Sequence, residues 1–469
     1  MPHTRGLLGN SRRSAKCRRV DKVVSSLVTT TMGKRTCRSY GPQTQQARLL
    51  KNQPVRTVMT RSHGTSGPSF FHRLPIEVLH MILDRLSLLE ISVLSMVSKE
   101  ITKHILDYIS SQKWRNKTII QSFHPSACPE QKPIVEHYRH LGLLYKRCTL
   151  LIPTKDRLKL IFSKFSQIPC FMLEQCLVPG CTAFVSFGVF LKTLIAGWDE
   201  LESHRVFSCL CDFTNLMQKT EGIITAKPGV KVHQELQLRL FCRCVLLDPW
   251  VNQPERQFWL TQLLKPWPMV SQAHLLFILY GPLQPGGILG WQDVVDRALT
   301  PGSLWGLAQA ISILFSKPEV KGWTTHLMFS IVMELTAVPE PWHLENLARF
   351  LLLCGNNVSY TVLASKALFG HVAEVSRLII YIILVCEKDG YQMSWAVNIV
   401  QQIFKMFSTA TERFFFIQHL ENSFSQITRE TFESIAEDWA EDRESFQTLF
   451  VLLECNARFH TKFLHTLLK

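Results

Sequence analysis

Long apolar runs are missing from this chain of 469 residues. The longest, LIIYIILVC from Leu378 to Cys386, is about half of the roughly 20 residues that a membrane-spanning helix needs. That segment is expected to be a core helix, and no membrane is expected among the partners. Acidic residues are nearly absent from the first 68 positions, which hold fourteen Lys or Arg and one acid, Asp21. This leader therefore carries +13 of the net +15, and the remaining 401 residues carry only +2. A basic surface for nucleic acid is not implied for the body. Any such contact is confined to residues 1–68, where the basic clusters also suit a nuclear-import signal or an Arg-rich, Ser-rich transit peptide. The default for so polar a stretch is a solvated, disordered leader.

No CxxC pair occurs among the 14 cysteines, and no apolar segment of secretory type follows the first basic residues. The cysteines are expected to be reduced and buried, as in a protein of the nucleus or cytoplasm. Cys209 with Cys211, and Cys242 with Cys244, stand two apart in helical segments, where side chains diverge. Cys170, Cys176 and Cys181 are closer to a cluster, yet no histidine pair follows them at ligand spacing. No metal and no cofactor are expected. His137 and His140 are three apart, but no third ligand is signalled. No G-x-S-x-G, phosphate-binding glycine loop or H-E-x-x-H is present, and Cys455 sits in a regular helical pattern without an activating base. No catalytic residue is expected.

Alternating strand patterns are also scarce. CTAFVSFGVF, Cys181 to Phe190, comes nearest, but it runs on into LKTLIAGW and reads as a buried helix. Apolar residues recur at helical spacing in Leu236 to Leu247, Phe258 to Leu264, Leu304 to Phe315, Leu344 to Leu353 and Val397 to Phe407. Thr154 is placed as a helix N-cap, and Thr409 with Glu412 makes a capping box. No strict repeat period emerges. The expected fold is all-α, a small helical module followed by a large multi-helix domain, either irregular solenoid-like or globular. The expected divisions are a leader at 1–68, the module at 71–110, a linker at 111–132 and the helical domain at 133–469.

The module contains LPIEVLHMILDRLSLLEISVLSMVSKE, Leu74 to Glu100. Pro75 suits a helix first turn and Glu77 the positive end of its dipole. Ser87 and Glu90 form a second capping box, and the helix it starts is expected to carry Ile91, Leu94, Val97, Ile101 and Ile105 on one stripe. A unit of about 40 residues cannot bury all these groups by itself. Leu74, Pro75, Leu79, Ile82, Leu83 and Leu86 are expected to leave an apolar surface that a partner covers.

The order L-P-x-E-V-L-x-x-I-L-x-x-L-S-x-x-E-I-x-x-L-S-x-V-S-K resembles the F-box, the module by which substrate receptors dock on the Skp adaptor of cullin–RING ubiquitin ligases. The resemblance implies adaptor contacts by Leu74, Pro75, Glu77, Leu79, Ile82, Leu83, Leu86, Leu94 and Val97. It implies a non-catalytic subunit that reaches cullin and a RING protein through the adaptor and presents an unknown protein substrate for ubiquitin transfer. Two positions depart from the family pattern: Glu90-Ile91 replaces an acidic-Leu pair, and Ser98-Lys99 stands for Cys-Arg with Ile101 near the usual tryptophan. EHYRHLGLLYKRCTLLIPTKDRLK (Glu136 to Lys159), AGWDELESHRV and KPWPMVSQA are similar to stretches of one family member. A scaffold that acts without ubiquitin transfer, associated with nucleic acid through its leader, is the alternative.

Three turns are the candidate substrate contacts: Trp198 and Asp199 after Gly197, Trp267 between two prolines, and Asn356 with Asn357 after Gly355. The acidic run RETFESIAEDWAEDRE carries Glu430, Glu433, Glu437 and Glu441 on one helix face, expected to be solvated.

Overall fold

The computed structural model describes residues 74–121, 123–124, 131–172, 181–316, 323–437 and 443–467. The leader at 1–68, Cys176 and Glu441 lie outside them. Among the described residues, the only β-structure is an isolated bridge between Leu283 and Leu289. The all-α expectation holds.

The module forms three helices rather than two. Helix α1 spans Ile76–Leu83, α2 spans Leu88–Leu94 and α3 spans Lys99–Ser110. The Ser87–Glu90 capping box is present in full and starts α2. The expected long second helix is broken because Ser98 takes an extended conformation and its hydroxyl accepts from the Ile101 amide at 3.2 Å, opening α3. Ser95 also turns its hydroxyl onto the Ser92 carbonyl at 2.7 Å. Local polar bonds of this kind compete with helix continuation. Ile101 and Ile105 therefore belong to a different helix from Ile91.

The segment expected as a linker begins with a helix, α4 (Gln112–Thr118), whose Trp114 is buried. Trp114 sits edge-on to Tyr108 and to Tyr145 of α5 (Gln131–Cys148), so it nails the module to the next helix. Arg147 of α5 donates to the Ser92 hydroxyl at 2.8 Å, a second tie between α5 and α2. Residues Pro68–Lys469 accordingly form one compact unit.

Helix α6 (Thr154–Ser163) begins one residue earlier than expected, with Pro153 at its cap, and the Thr154 hydroxyl instead donates to Glu202 at 3.0 Å. Helix α7 (Ala183–Ile195) is the buried helix expected of CTAFVSFGVF. It lies along α5, and the core beside them is aromatic, with Phe165 in contact with Tyr145, Phe187 and Phe190. Close approach is allowed by two glycines. A Cβ on Gly142 would lie 2.7 Å from the Phe190 carbonyl oxygen, and one on Gly188 would lie 2.0 Å from the Cys244 carbonyl oxygen.

Beyond α7 come α8 (Glu200–Thr214), α9 (Leu216–Ile224) and α10 (Val232–Phe241), the last continued by a π-helical turn at Cys242–Leu247. Then follow α11 (Gln253–Leu264), α12 (Met269–Tyr280), the single turn α13 (Asp293–Asp296), α14 (Trp305–Leu314), α15 (Thr325–Leu335) and α16 (Leu344–Cys354). The described chain closes with α17 (Asn356–Leu368), α18 (Val372–Lys388), α19 (Met393–Met406), α20 (Ala410–Glu437) and α21 (Arg443–Leu467). From α14 onward, each helix packs on the one two places further along: α14 on α16, α15 on α17, α16 on α18, α17 on α19, α18 on α20 and α19 on α21. That recurrence is the contact pattern of a stacked helical array, in which each pair meets only its neighbours. The apolar run Leu378–Cys386 is buried in α18, and among the described residues no helix is long and apolar enough to cross a membrane.

Candidate protein-docking face

The module divides its apolar side chains between two directions. Leu79 and Leu83 point inward and are fully buried with Ile91, Ile101 and Ile105. Their expected place on an open surface is corrected: α1 is tied to α3 through the His80–Tyr108 ring contact and turns these two leucines into the core. Leu74, Leu86 and Leu94 are half-buried. Pro75 and Ile82 are exposed, as expected of that surface, and Glu77 and Val97 are exposed as well.

The open face is wider than the sequence reading assigned. Ile76, Val78, Met81 and Ile82 on α1 join Leu89 and Val93 on α2 and Met96 and Val97 in the following turn, all exposed. Met81 keeps 68% of its surface, Val97 66% and Met96 55%. Ile76, Val78, Met81, Leu89, Val93 and Met96 are not among the positions the family resemblance implied. The signal was in the sequence: α1 is apolar around most of its circumference, and a single helix can bury only one side. Eight exposed apolar side chains within this short stretch make it the candidate contact face among the described residues.

The rear of the module is held rigid by polar bonds. Tyr108 donates to Asp84 at 2.8 Å, and Lys117 of α4 pairs with the same carboxylate at 3.0 Å. The tyrosine hydrogen bond, and then the lysine, hold the Asp84 carboxyl below its ordinary range. Burial first, and the Asp84 bond second, push the Tyr108 phenol upward. At the front, hydrogen bonds from the Ser87 amide and hydroxyl keep Glu90 ionised to lower pH than usual. His137 is engaged by the Thr118 carbonyl at 2.8 Å, and His140 lies 3.3 Å from Glu136, so this pair serves packing.

The candidate substrate residues do not converge on one site. Trp198 and Asp199 border a groove with Trp250, Phe258 and Trp259, and the Arg157 guanidinium lies 4.6 Å over the Trp198 ring. Asp199 is the N-cap of α8, accepting from the Glu202 amide at 2.7 Å. Trp267 is half-buried at the entry to α12, and its carbonyl accepts from Gln272 at 2.8 Å. Trp267 thus plugs a helix junction. Asn356 and Asn357 are exposed in the first turn of α17. None of these three residues lines the Trp198 groove. On the acidic helix, Glu430 pairs with Arg377 of α18 at 2.7 Å, so it is a structural contact rather than a free charge. Glu433 lies 3.7 Å from Arg429 on the surface.

The chemistry of Cys455 is that of a core residue. It is fully buried in α21, and burial pushes its thiol up to about 12. Such a thiol is neutral at physiological pH and a poor nucleophile.

Comparison with known proteins agrees with this partition. The family model for the F-box domain matches residues 71–110. The family model described as "FBXO47, ARM repeats" matches residues 212–469, which supplies the repeat character that the sequence reading did not find. The chain is 46% identical over 401 residues to F-box only protein 47 of Mus musculus, covering 84% of this chain and 89% of the mouse protein. It is 45% identical over 401 residues to F-box only protein 47 of Homo sapiens, covering 84% and 88%. No solved structure matches. With an F-box hairpin whose open face is apolar, set ahead of a stacked helical array, the chain belongs to the F-box only protein 47 family.

Proposed function

We propose that this protein is a non-catalytic substrate-recognition subunit of a Skp–cullin–F-box ubiquitin ligase. The observation that carries the reading is the unpartnered apolar face on α1, α2 and the turn to α3, within the residues that match the F-box. The Skp adaptor covers that face, with Pro75, Glu77, Ile82 and Val97 in contact and Leu74, Leu86 and Leu94 at its margin. Leu79 and Leu83 act from beneath by setting the shape of α1. Cullin and the RING subunit follow through the adaptor. The helical array binds a protein substrate and raises the effective concentration of its lysines near the charged conjugating enzyme. Trp198 and Asp199 at the rim of an aromatic groove are the best placed of the candidate substrate contacts, and the protein works in the nucleus or cytoplasm.

Co-purification of the full chain with the adaptor tests the docking. The double variant I82D/V97D changes two exposed positions and is expected to lose the adaptor while its far-ultraviolet circular dichroism stays unchanged. Adaptor binding retained at wild-type strength by a folded double variant would refute this docking face.

A further inference from the structure

The structure brings His124 together with Cys170 and Cys181, 46 and 57 positions further along the chain. His124 follows α4, Cys170 lies in the 3-10 turn Pro169–Met172, and Cys181 precedes α7. Their ligand atoms all lie within 4.8 Å of one another, and His124 Nε2 is 3.8 Å from the Cys170 sulfur. We infer that His124, Cys170 and Cys181 bind a zinc ion, which clamps the segment after the F-box module to the first helices of the body.

Donor type and spacing both favour zinc. Two thiols and an imidazole are the donors of structural zinc sites, and with no oxygen donor in the set calcium and magnesium are poorly served. With Zn–S of about 2.3 Å and Zn–N of about 2.0 Å, a tetrahedral ion spaces its donors by roughly 3.5–3.8 Å. The His124–Cys170 separation already meets that value, and the others need to close by about 1 Å at most. The fourth position is filled by a water or by a further donor of the chain. Cys128 and Cys176 lie outside the described residues and form no part of the set argued from the geometry.

Preorganisation supplies the second line of support. Each donor adjoins a residue fixed in the core by contacts that owe nothing to a metal. Phe123, next to His124, and Phe171, next to Cys170, are both buried with ring centres 5.2 Å apart. Thr182, next to Cys181, donates its amide to the Phe123 carbonyl at 3.3 Å. Phe171 in turn stacks on Phe187 of α7 at 4.5 Å. Three separate segments are thus held in register by neighbours, with their thiols and imidazole close together. Cys170 is buried while His124 and Cys181 are half-buried, which leaves an entry path for the ion. The other close cysteine pairs, Cys209 with Cys211 and Cys242 with Cys244, have no such imidazole among the described residues.

The consequence is mechanical. Binding of zinc to the folded chain alone contributes directly to stability. Here it would stiffen the junction that sets the orientation of the F-box hairpin relative to α5 and α7.

Metal analysis of the full-length chain, purified under reducing conditions without chelator, is expected to show one zinc per chain. Replacement by cobalt is expected to give the visible bands of a tetrahedral site and thiolate charge transfer of at least two sulfurs. The variant C170S/C181S is expected to lose both, while C209S keeps them. His124→Asn, a milder change at a half-buried position, is expected to weaken zinc retention against a competing chelator at least tenfold and to lower Tm. Wild-type chain free of stoichiometric zinc would overturn the inference. So would full zinc retention by a folded C170S/C181S chain, or a Cys170–Cys181 disulfide in protein isolated under thiol protection.

Discussion

Leu83 and Ile82 are neighbours with opposite duties. Leu83 is fully buried in the core, whereas Ile82 keeps 39% of its surface. Leu83→Ala is expected to cost about 2–5 kcal/mol, the transfer term plus the cavity left behind. Ile82→Ala should change stability by about 0.5 kcal/mol at most, as a surface substitution. Urea unfolding of the two variants separates these expectations, and equal midpoints would contradict the assigned orientations. A second residue-scale case is Arg349 of α16. Its guanidinium is buried between Asp389, 2.6 Å away, and Glu345, 3.2 Å away, with Lys388 closing the set at 3.2 Å from Glu345. Removing one partner strands buried charge, so Arg349→Ala is expected to lose about 3–5 kcal/mol, read as a fall in the urea midpoint.

At the scale of elements, packing distance is set by what is absent. Helix α7 meets both α5 and the π-helical turn Cys242–Leu247 through glycines, so backbone lies on backbone. Gly188→Ala would set a methyl 2.0 Å from the Cys244 carbonyl oxygen, a contact no rotamer change can relieve because the Cβ position is fixed by the backbone and the oxygen belongs to the main chain. The expected outcome is a loss of about 1–3 kcal/mol through overpacking, seen as a lower Tm, while an alanine at Gly222 finds only the end of the Lys231 side chain, 4.0 Å away. The helical caps show the reverse case, in which local sequence suffices. Ser87 with Glu90 and Thr409 with Glu412 were legible as capping boxes, and both close their reciprocal bonds in the structure. Each of these boxes closes within four consecutive residues, whereas the lone Thr154, expected as a cap, gives its hydroxyl to the distant Glu202 instead. The break at Ser98 was obscured by an apolar stripe that continues across it, although the Ser98 side chain that caps α3 is itself a local signal.

Over the whole molecule, burial of thiols ties stability to alkaline pH. Cys148, Cys386 and Cys455 each lie in the core, with thiols pushed up to about 12, chiefly by burial. An unfolded thiol ionises near 8.5. The raised folded values contribute stability in full below about pH 8.5, and the contribution is lost as pH rises toward about 12. Unfolding free energy is therefore expected to fall with pH above about 8.5 under reducing conditions. Equilibrium denaturation at pH 7.5, 9 and 10 measures the slope, and a flat profile would contradict the buried placement. Because module and body share one core through Trp114, Tyr145 and Arg147, this loss is expected as one transition rather than two.

Sequence alone determined the helical class, the two capping boxes, the module's family resemblance, and the apolar core helix at Leu378–Cys386. Each of these rests on periodicity or on residues a few positions apart, where backbone geometry leaves little choice. Tertiary structure alone decided which side of α1 stays open, that Trp198, Trp267 and the Asn356 turn lie on separate surfaces, and that His124, Cys170 and Cys181 meet. Those outcomes depend on which helix packs on which. Packing is settled by contacts between side chains dozens of residues apart, which no local spacing encodes.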